Sequence, residues 1–219
     1  IVISYILLIP IKGEKKIIIQ FANVFSNCGF IGFPIVFSIY GNEGVIYASI
    51  FNLFFTAFLW TYGVILFNGK MKREDIKKVL LNPAIVAVFI GLIIMIFGFD
   101  IPSVLSSTLD LVGNMTSPLS MIIVGVILGN AKIISYLKDK TIYYSAFLKL
   151  IIMPCILILI SRLLKDTSLV IKTLIIVTAM PAAAMTSILA ESFDKESEYS
   201  AVIVFITTLF SVITFPILL

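Results

Sequence analysis

The chain has 219 residues, of which 60% are hydrophobic, and its mean hydropathy is +1.16. A soluble domain has about 45–50% apolar residues, and runs of about 20 apolar residues are typical of membrane helices, so the sequence predicts an integral membrane protein. The chain has no His, and its two Cys, Cys28 and Cys155, lie inside apolar runs. This composition argues against a disulfide framework and against a His/Cys metal site, and we predict no metal and no cofactor.

The chain begins with a ten-residue apolar segment that starts without Met. Ten helical residues reach about 15 Å, half of a hydrocarbon core, so we expect the end of a span whose beginning is missing. A signal peptide fits poorly, because Lys12, Lys15 and Lys16 follow the apolar run instead of preceding it. Seven further spans are predicted, at 17–40, 44–67, 80–99, 103–130, 141–162, 168–191 and 199–219.

The span 17–40 contains polar and helix-breaking residues in its middle. Asn27 and Gly32 precede Pro34, and a helix that runs through a proline loses a hydrogen bond and must kink or break. In hydrocarbon a freed backbone group costs several kcal/mol unless another group satisfies it. Broken helices at the bilayer midplane form the substrate sites of many secondary transporters, and a packing kink is the alternative.

A second interruption is predicted in span 168–191, where small and hydroxyl residues follow Met180 and Pro181. Pro34 and Pro181 lie 147 positions apart, and each is followed by a short polar turn and another apolar span. We interpret this offset as two copies of one structural repeat. The small residues after Pro181 either line a crossing point or only pack tightly.

The repeat divides the chain into three parts. Residues 1–67 form the C-terminal part of the first repeat, 68–79 a basic loop, and 80–219 the second repeat. Five spans per repeat then fit the offset, and we expect the first spans to lie upstream of this chain. An odd number of spans gives the two halves opposite orientations, so the predicted fold is an all-α inverted repeat of five plus five spans.

Positive charges concentrate in loops on one side of the predicted membrane. Loops 11–16, 68–78, 131–140 and 192–198 contain twelve of the sixteen Lys and Arg residues. The positive-inside rule makes these loops cytoplasmic and leaves the C-terminus outside. We expect a multi-pass protein of the plasma membrane, such as a bacterial inner membrane.

Five segments carry recognisable motifs: NCGFIGFPIVFSIYG at 27–41, WTYG at 60–63, NPAIVAVFIGL at 82–92, GNMTSPLSMIIVGVILG at 113–129 and MPAAAMTSILAESFDKESEYSAVIVFITTLFSVITFPI at 180–217. With these segments the chain resembles the auxin efflux carrier family, which includes the plant PIN-FORMED carriers and bacterial malate permease-like proteins. The resemblance implies a ten-helix carrier with two crossing broken helices. It also implies transport of small organic anions such as indole acetate or malate.

The resemblance further implies roles for particular residues. The family's crossover prolines correspond to Pro34 and Pro181, and its amide before the first proline corresponds to Asn27. Where the family has an amide four residues before the tryptophan of WTYG, this chain has Thr56, and Asn52 lies one turn earlier. We interpret that tryptophan, as well as the tyrosines near span ends, as interfacial anchors.

Other polar residues near the predicted spans have two or more interpretations. Asn114 and Ser117 either face the site or cap a helix start. Lys149 could attract the anion, pair with Asp110, or extend to the membrane interface. Glu191 closes a helix at the cytoplasmic edge. These residues indicate no clear proton or sodium site, so coupling to protons, to sodium or to the membrane potential alone stays open.

The expected function is therefore transport of a small organic anion by alternating access, without catalytic residues. The alternative is a sodium-coupled symporter or cation antiporter of the bile acid symporter-like fold, which should have carboxylates near Pro34 and Pro181. A membrane enzyme would need a metal-ligand cluster or a nucleophile with its base, and the sequence indicates neither. As partners we expect a small organic anion and the lipid bilayer but no nucleic acid, and we leave a homodimer open.

Overall fold

Apolar segments of the sequence fold into helices throughout the part of the chain that is described. The computed structural model describes residues 1–69, 81, 83–115, 118–119, 122, 125–126, 129 and 133–218. Within these residues no β-strand forms, and β-type pairing is limited to an isolated bridge between Ser26 and Ala182. The prediction of an all-α protein is therefore confirmed for the described residues.

The helices follow the predicted spans with shifted ends, and three π-helical turns interrupt them. In the first half the helices are α1 (Val2–Leu7), α2 (Glu14–Val24), α3 (Phe33–Phe58) and α4 (Val64–Asn68). In the second half they are α5 (Pro83–Phe97), α6 (Ser103–Asn114), α7 (Ile133–Leu137), α8 (Lys140–Phe147), α9 (Met153–Leu164), α10 (Leu169–Ala179), α11 (Met185–Ser192) and α12 (Ser197–Leu218). The π-helical turns are Cys28–Gly32, Leu59–Gly63 and Leu148–Ile152.

Among the described residues, three helical stretches are long and apolar enough to cross a membrane. They are Cys28–Asn68, Lys140–Leu164 and Ser197–Leu218. The first has 41 residues, about 60 Å of straight helix and twice the thickness of a hydrocarbon core. Gly41 divides it, because this residue has non-helical backbone angles (φ 62°, ψ −154°) that glycine adopts without steric cost. The short polar turn predicted between spans 17–40 and 44–67 thus begins at Gly41, where the backbone leaves the helical conformation.

Two of the π-helical turns end two residues before a proline. One precedes Pro34 in the first turn of α3, and the other precedes Pro154 in the first turn of α9. A proline has no N–H and its ring clashes with the carbonyl one turn earlier, and the wider π-helical turn relieves that conflict. Pro34 is therefore accommodated within a continuous helix and does not itself interrupt it.

The non-helical backbone of the first interruption lies before Pro34, between α2 and the first π-helical turn. Phe25 is extended (φ −103°, ψ 109°) and Asn27 is also outside the helical region (φ −76°, ψ 60°). The second interruption separates α10 from α11 and begins at the extended residue Met180 (φ −64°, ψ 151°), next to Pro181. The second non-helical segment therefore lies beside Pro181, and the first lies several residues before Pro34. That these segments are the broken helices of a repeat stays a prediction.

The described core is mostly aliphatic and contains an aromatic cluster around helix α2. Phe21 and Phe25 are fully buried and pack together with ring centroids 4.4 Å apart, and Phe67 meets Phe21 edge to face at 5.3 Å. The last π-helical turn of the first half comes very close to this cluster, since a Cβ on Gly63 would lie 2.7 Å from Cε2 of Phe21. Helix α6, by contrast, buries no side chain. Its exposed apolar residues are what a membrane protein presents to lipid.

Two ion pairs join segments that the sequence assigned to the same side of the membrane. Lys15 Nζ lies 2.7 Å from a carboxylate oxygen of Asp139, and Lys195 Nζ lies 2.6 Å from one of Glu14. The hydroxyl groups of Thr141 and Tyr199 are 2.6 Å apart in the same region. The predicted loops 11–16, 131–140 and 192–198 therefore meet at one end of the helices.

Candidate functional site

The two interruptions lie against each other and exchange backbone hydrogen bonds. The N–H of Asn27 donates to the carbonyl of Pro181 (2.8 Å), and the N–H of Ala183 donates to the carbonyl of Phe25 (3.0 Å). The N–H of Ala182 donates to the hydroxyl of Thr207 on α12 (3.2 Å). Backbone groups that lack an intrahelical hydrogen bond at the two interruptions are thus hydrogen-bonded inside the protein. Hydrocarbon surroundings require this, because they offer no water to such groups.

A cavity of about 330 Å³ lies beside these paired interruptions. This volume is in the range of pockets that hold small organic molecules. Its wall combines amide and hydroxyl groups with apolar side chains, and the described residues that line it include no carboxylate and no lysine or arginine. The lining residues are Ser26, Asn27, Cys28, Gly29, Phe30, Asn52, Phe55, Thr56, Leu59, Trp60, Ala183, Ala184 and Met185.

Asn27 has the most constrained position in the cavity wall. Its side chain is buried, and its Oδ1 accepts a hydrogen bond from the N–H of Phe30 (3.3 Å), which caps the π-helical turn. Its Nδ2 is buried and has no hydrogen-bond partner among the described residues. A buried donor without a partner costs about 1–3 kcal/mol, so a ligand that accepts a hydrogen bond from Nδ2 would recover this energy.

One face of α3 and the π-helical turn after it supplies the opposite wall. Asn52, Thr56 and Trp60 are spaced four residues apart and all line the cavity, as residues at this spacing share a helix face. The Oδ1 of Asn52 accepts a weak hydrogen bond from the thiol of Cys28 (3.4 Å). Trp60, which the sequence suggested as an interfacial anchor, lies in the cavity wall. Its four-residue spacing from Thr56 was the signal that could have revealed this.

Lys149 lies behind the cavity wall and does not reach the surface. It is fully buried in the π-helical turn Leu148–Ile152. Its Nζ donates to the hydroxyl oxygen of Ser26 (2.5 Å) and to the carbonyl of Asn23 (3.4 Å). No described carboxylate forms an ion pair with it, and Asp110 is exposed on α6. Of the three interpretations from the sequence, an approach to the site fits this geometry best.

Other residues predicted for the site surround the interruptions without lining the cavity. Met180 is buried, and its Cγ would lie 3.4 Å from a Cβ on Gly32. Pro181 takes part through its carbonyl, and Pro34 is exposed at the start of α3. Their assignment as substrate ligands stays a prediction. Ser26 was missed, because nothing in the sequence distinguishes it from other serines in apolar spans.

The remaining predicted residues lie away from the cavity or outside the described residues. Asn114 is exposed at the end of α6, and Glu191 is exposed near the end of α11. Ser117 lies outside the described residues. None of the described groups of His, Cys, Asp and Glu has the arrangement to hold a metal ion.

Comparison with known proteins identifies the class to which these features belong. All residues, 1–219, match the model of a family described as membrane transport protein. The chain belongs to this membrane transport protein family. It is the family of the auxin efflux carriers, so the resemblance found in the sequence is confirmed.

The transporter is similar to several proteins that are themselves named uncharacterized transporters. One from Methanocaldococcus jannaschii is 27% identical over 221 residues, covering 97% of this chain and 71% of the relative. One from Methanothermobacter thermautotrophicus is 25% identical, covering 87% and 63%. The uncharacterized transporter YfdV of Escherichia coli K12 is 25% identical, covering 86% and 62%. The chain thus spans about two thirds of the length of these relatives.

Proposed function

We propose that this transporter carries small organic anions with a carboxylate, of the auxin or malate type, by alternating access. The observation that supports this most is the cavity beside the paired interruptions. Its lining includes three residues that were predicted for the site, Asn27, Asn52 and Thr56. Its polar groups include the unpartnered Nδ2 of Asn27, a donor suited to a carboxylate oxygen.

Two helical segments begin at this cavity, which favours negative charge there. The π-helical turn before α3 starts at Cys28, and α11 starts at Met185, and both residues line the cavity. The N-terminus of a helix carries a partial positive charge. Because no carboxylate is among the described lining residues, the cavity suits an anion better than the cation of the alternative, a sodium-coupled symporter or cation antiporter.

The transport mechanism we propose uses the two interrupted helices as a crossing pair in an inverted repeat of five plus five spans. The 147-residue offset between Pro34 and Pro181 supports this arrangement, and so do the hydrogen bonds between the two interruptions. One bundle would move against the other around the cavity and expose it alternately to each side. In this proposal the loops 11–16, 68–78, 131–140 and 192–198 lie in the cytoplasm of a cell whose plasma membrane contains the protein.

The proposal is tested by uptake into proteoliposomes that contain the intact protein. Labelled malate, malonate and indole acetate are offered separately, with and without gradients of pH and of sodium. We expect uptake of at least one of these anions that an unlabelled carboxylate competes away. Uptake of none of them, or uptake that requires sodium and shows no preference for anions, would favour the alternative function.

A further inference from the structure

A lysine is buried in a helix of membrane-spanning length. The residues that line the cavity do not explain why it is there. Lys149 belongs to the stretch Lys140–Leu164 and has no exposed surface. Lysines in membrane helices usually extend to the interface, where the ammonium is hydrated. Here the side chain points inward to Ser26 and to the carbonyl of Asn23.

The described residues around Nζ of Lys149 bring no opposite charge to it. In the part of the chain that the structure describes, the ion pairs are those of Lys15 with Asp139 and of Lys195 with Glu14, and neither involves Lys149. Its two hydrogen-bond acceptors are neutral oxygens, and an ammonium has three N–H donors. A buried charge without an opposite charge is costly, so an anion nearby would stabilise it.

Ser26 connects this ammonium to the cavity. Its hydroxyl oxygen accepts the hydrogen bond from Lys149, and the same residue lines the cavity wall. Among the described residues, the acceptor for the hydroxyl proton is the carbonyl of Thr178, at the long distance of 3.5 Å. A carboxylate in the cavity would be a better acceptor for that proton. Hydrogen bonds in such a chain polarise and strengthen one another.

We propose that Lys149 is a positioning residue that makes the cavity select carboxylates over uncharged ligands of the same shape, acting through the hydroxyl of Ser26. The inference rests on the proposed function, because it concerns the ligand of the same cavity. It assigns the charge selectivity to a residue that never touches the ligand. The amide of Asn27 then contributes a hydrogen bond, while Lys149 contributes the positive potential.

The test compares a carboxylate with its uncharged amide in the purified, intact protein. Binding of indole acetate and of indole acetamide is measured for the wild type and for Lys149→Met, which keeps the length of the side chain and removes the charge. We expect the ratio of carboxylate affinity to amide affinity to fall about tenfold in the variant, equivalent to about 1.4 kcal/mol. Binding of the amide should be unchanged. A loss caused by misfolding would weaken both ligands together.

Two further variants separate a charge effect from a structural one. Ser26→Ala removes the connecting hydroxyl and is expected to reduce the preference in the same direction. Ser145→Ala is the matched control, because this buried hydroxyl lies one turn before Lys149 on the same helical stretch and has no described partner. We expect Ser145→Ala to leave the preference unchanged.

The outcomes distinguish this inference from the function on which it rests. If the wild type prefers the carboxylate and both Lys149→Met and Ser26→Ala keep that preference, Lys149 has no role in selectivity and the proposed function stands. If the wild type shows no preference for indole acetate, malonate or malate over their amides, the proposed function fails, and the inference fails with it.

Discussion

The N–H of Asn27 donates a 2.8 Å hydrogen bond to the carbonyl of Pro181, although the two residues belong to opposite halves of the chain. A second bond, from Ala183 to Phe25 (3.0 Å), runs beside it. Each interruption thus satisfies polar groups of the other, which in hydrocarbon would cost several kcal/mol if left alone. Asn27 also lines the cavity, so the residue that joins the two segments is the one to which we assign a ligand contact.

Asn27→Ala should reduce anion transport strongly and lower the free energy of unfolding only modestly. The change removes the Nδ2 donor, and a hydrogen bond to a charged group contributes about 1.5–3 kcal/mol, so we expect at least a roughly tenfold loss of transport. It also removes the cap on Phe30, at a cost of about 1 kcal/mol of stability. Uptake into proteoliposomes and thermal unfolding in detergent measure the two effects separately.

Asn42→Ala is the control for that experiment, since Asn42 is an exposed asparagine just after Gly41. We expect it to transport as the wild type does. Wild-type transport by Asn27→Ala would contradict the assignment of this cavity as the substrate site. Equal losses in both variants would point to a general effect of removing an amide.

The sequence predicted the helices and several cavity residues because both depend on local patterns. Apolar length indicates a membrane helix, and the amides Asn27 and Asn52 stand out in apolar spans. The position of the first interruption was missed because a π-helical turn accommodates Pro34, and a π-helical turn has no clear sequence signal. The contact between Ser26 and Lys149 joins residues 123 positions apart. Only tertiary packing determines such a contact.

Gly63→Ala should destabilise the protein, because there is no room for a methyl group at this position. The new Cβ would lie 2.7 Å from Cε2 of Phe21. The Phe21 ring cannot move aside easily, because it is fully buried and packs against Phe25 and Phe67. Overpacking of this kind costs about 1–3 kcal/mol. A lower unfolding temperature in detergent is the expected result.

Gly91→Ala provides the comparison, since a Cβ on this residue of α5 would meet nothing within 4 Å. Alanine is favoured over glycine in a helix by up to about 1 kcal/mol, so this variant should be as stable as the wild type or slightly more so. If Gly63→Ala unfolded at the wild-type temperature, the close packing of this turn on Phe21 would be wrong.

The contact between Lys15 and Asp139 should weaken in acid. Burial raises the pKa of the Asp139 carboxyl, but hydrogen bonds from Lys15 and Thr141 outweigh this and hold its pKa below the ordinary value of 3.8. The hydrogen bond to Asp139 raises the pKa of Lys15. A carboxyl whose pKa is lowered by folding stabilises the protein fully above its unfolded pKa. That contribution is lost as the pH falls through the folded pKa.

Asp139→Asn should therefore lower the unfolding temperature at pH 7, and the difference from the wild type should shrink at pH values below 3.8. The pair is partly exposed, so the ion pair contributes at most about 1 kcal/mol. Thermal unfolding in detergent across this pH range measures it. Asp100→Asn is the control, because Asp100 is exposed and its side chain has no ion pair among the described residues. A difference that persisted unchanged in acid would show that the charge of Asp139 is not the cause.

Labelling of Cys28 should report whether a ligand occupies the cavity. Its thiol lines the cavity beside Asn52, whereas Cys155 is exposed on α9. In a Cys155→Ser background, a small methanethiosulfonate reagent should therefore modify Cys28 alone, and slowly, because its side chain is buried.

A bound anion would exclude the reagent from the cavity. We expect the anion that is transported, malate or indole acetate, to slow this modification. The slowing should occur at anion concentrations near those that half-saturate transport, and mass spectrometry measures it. The variant Cys28→Ala shows the background, and modification at the same rate with and without a transported anion would mean that the anion binds elsewhere.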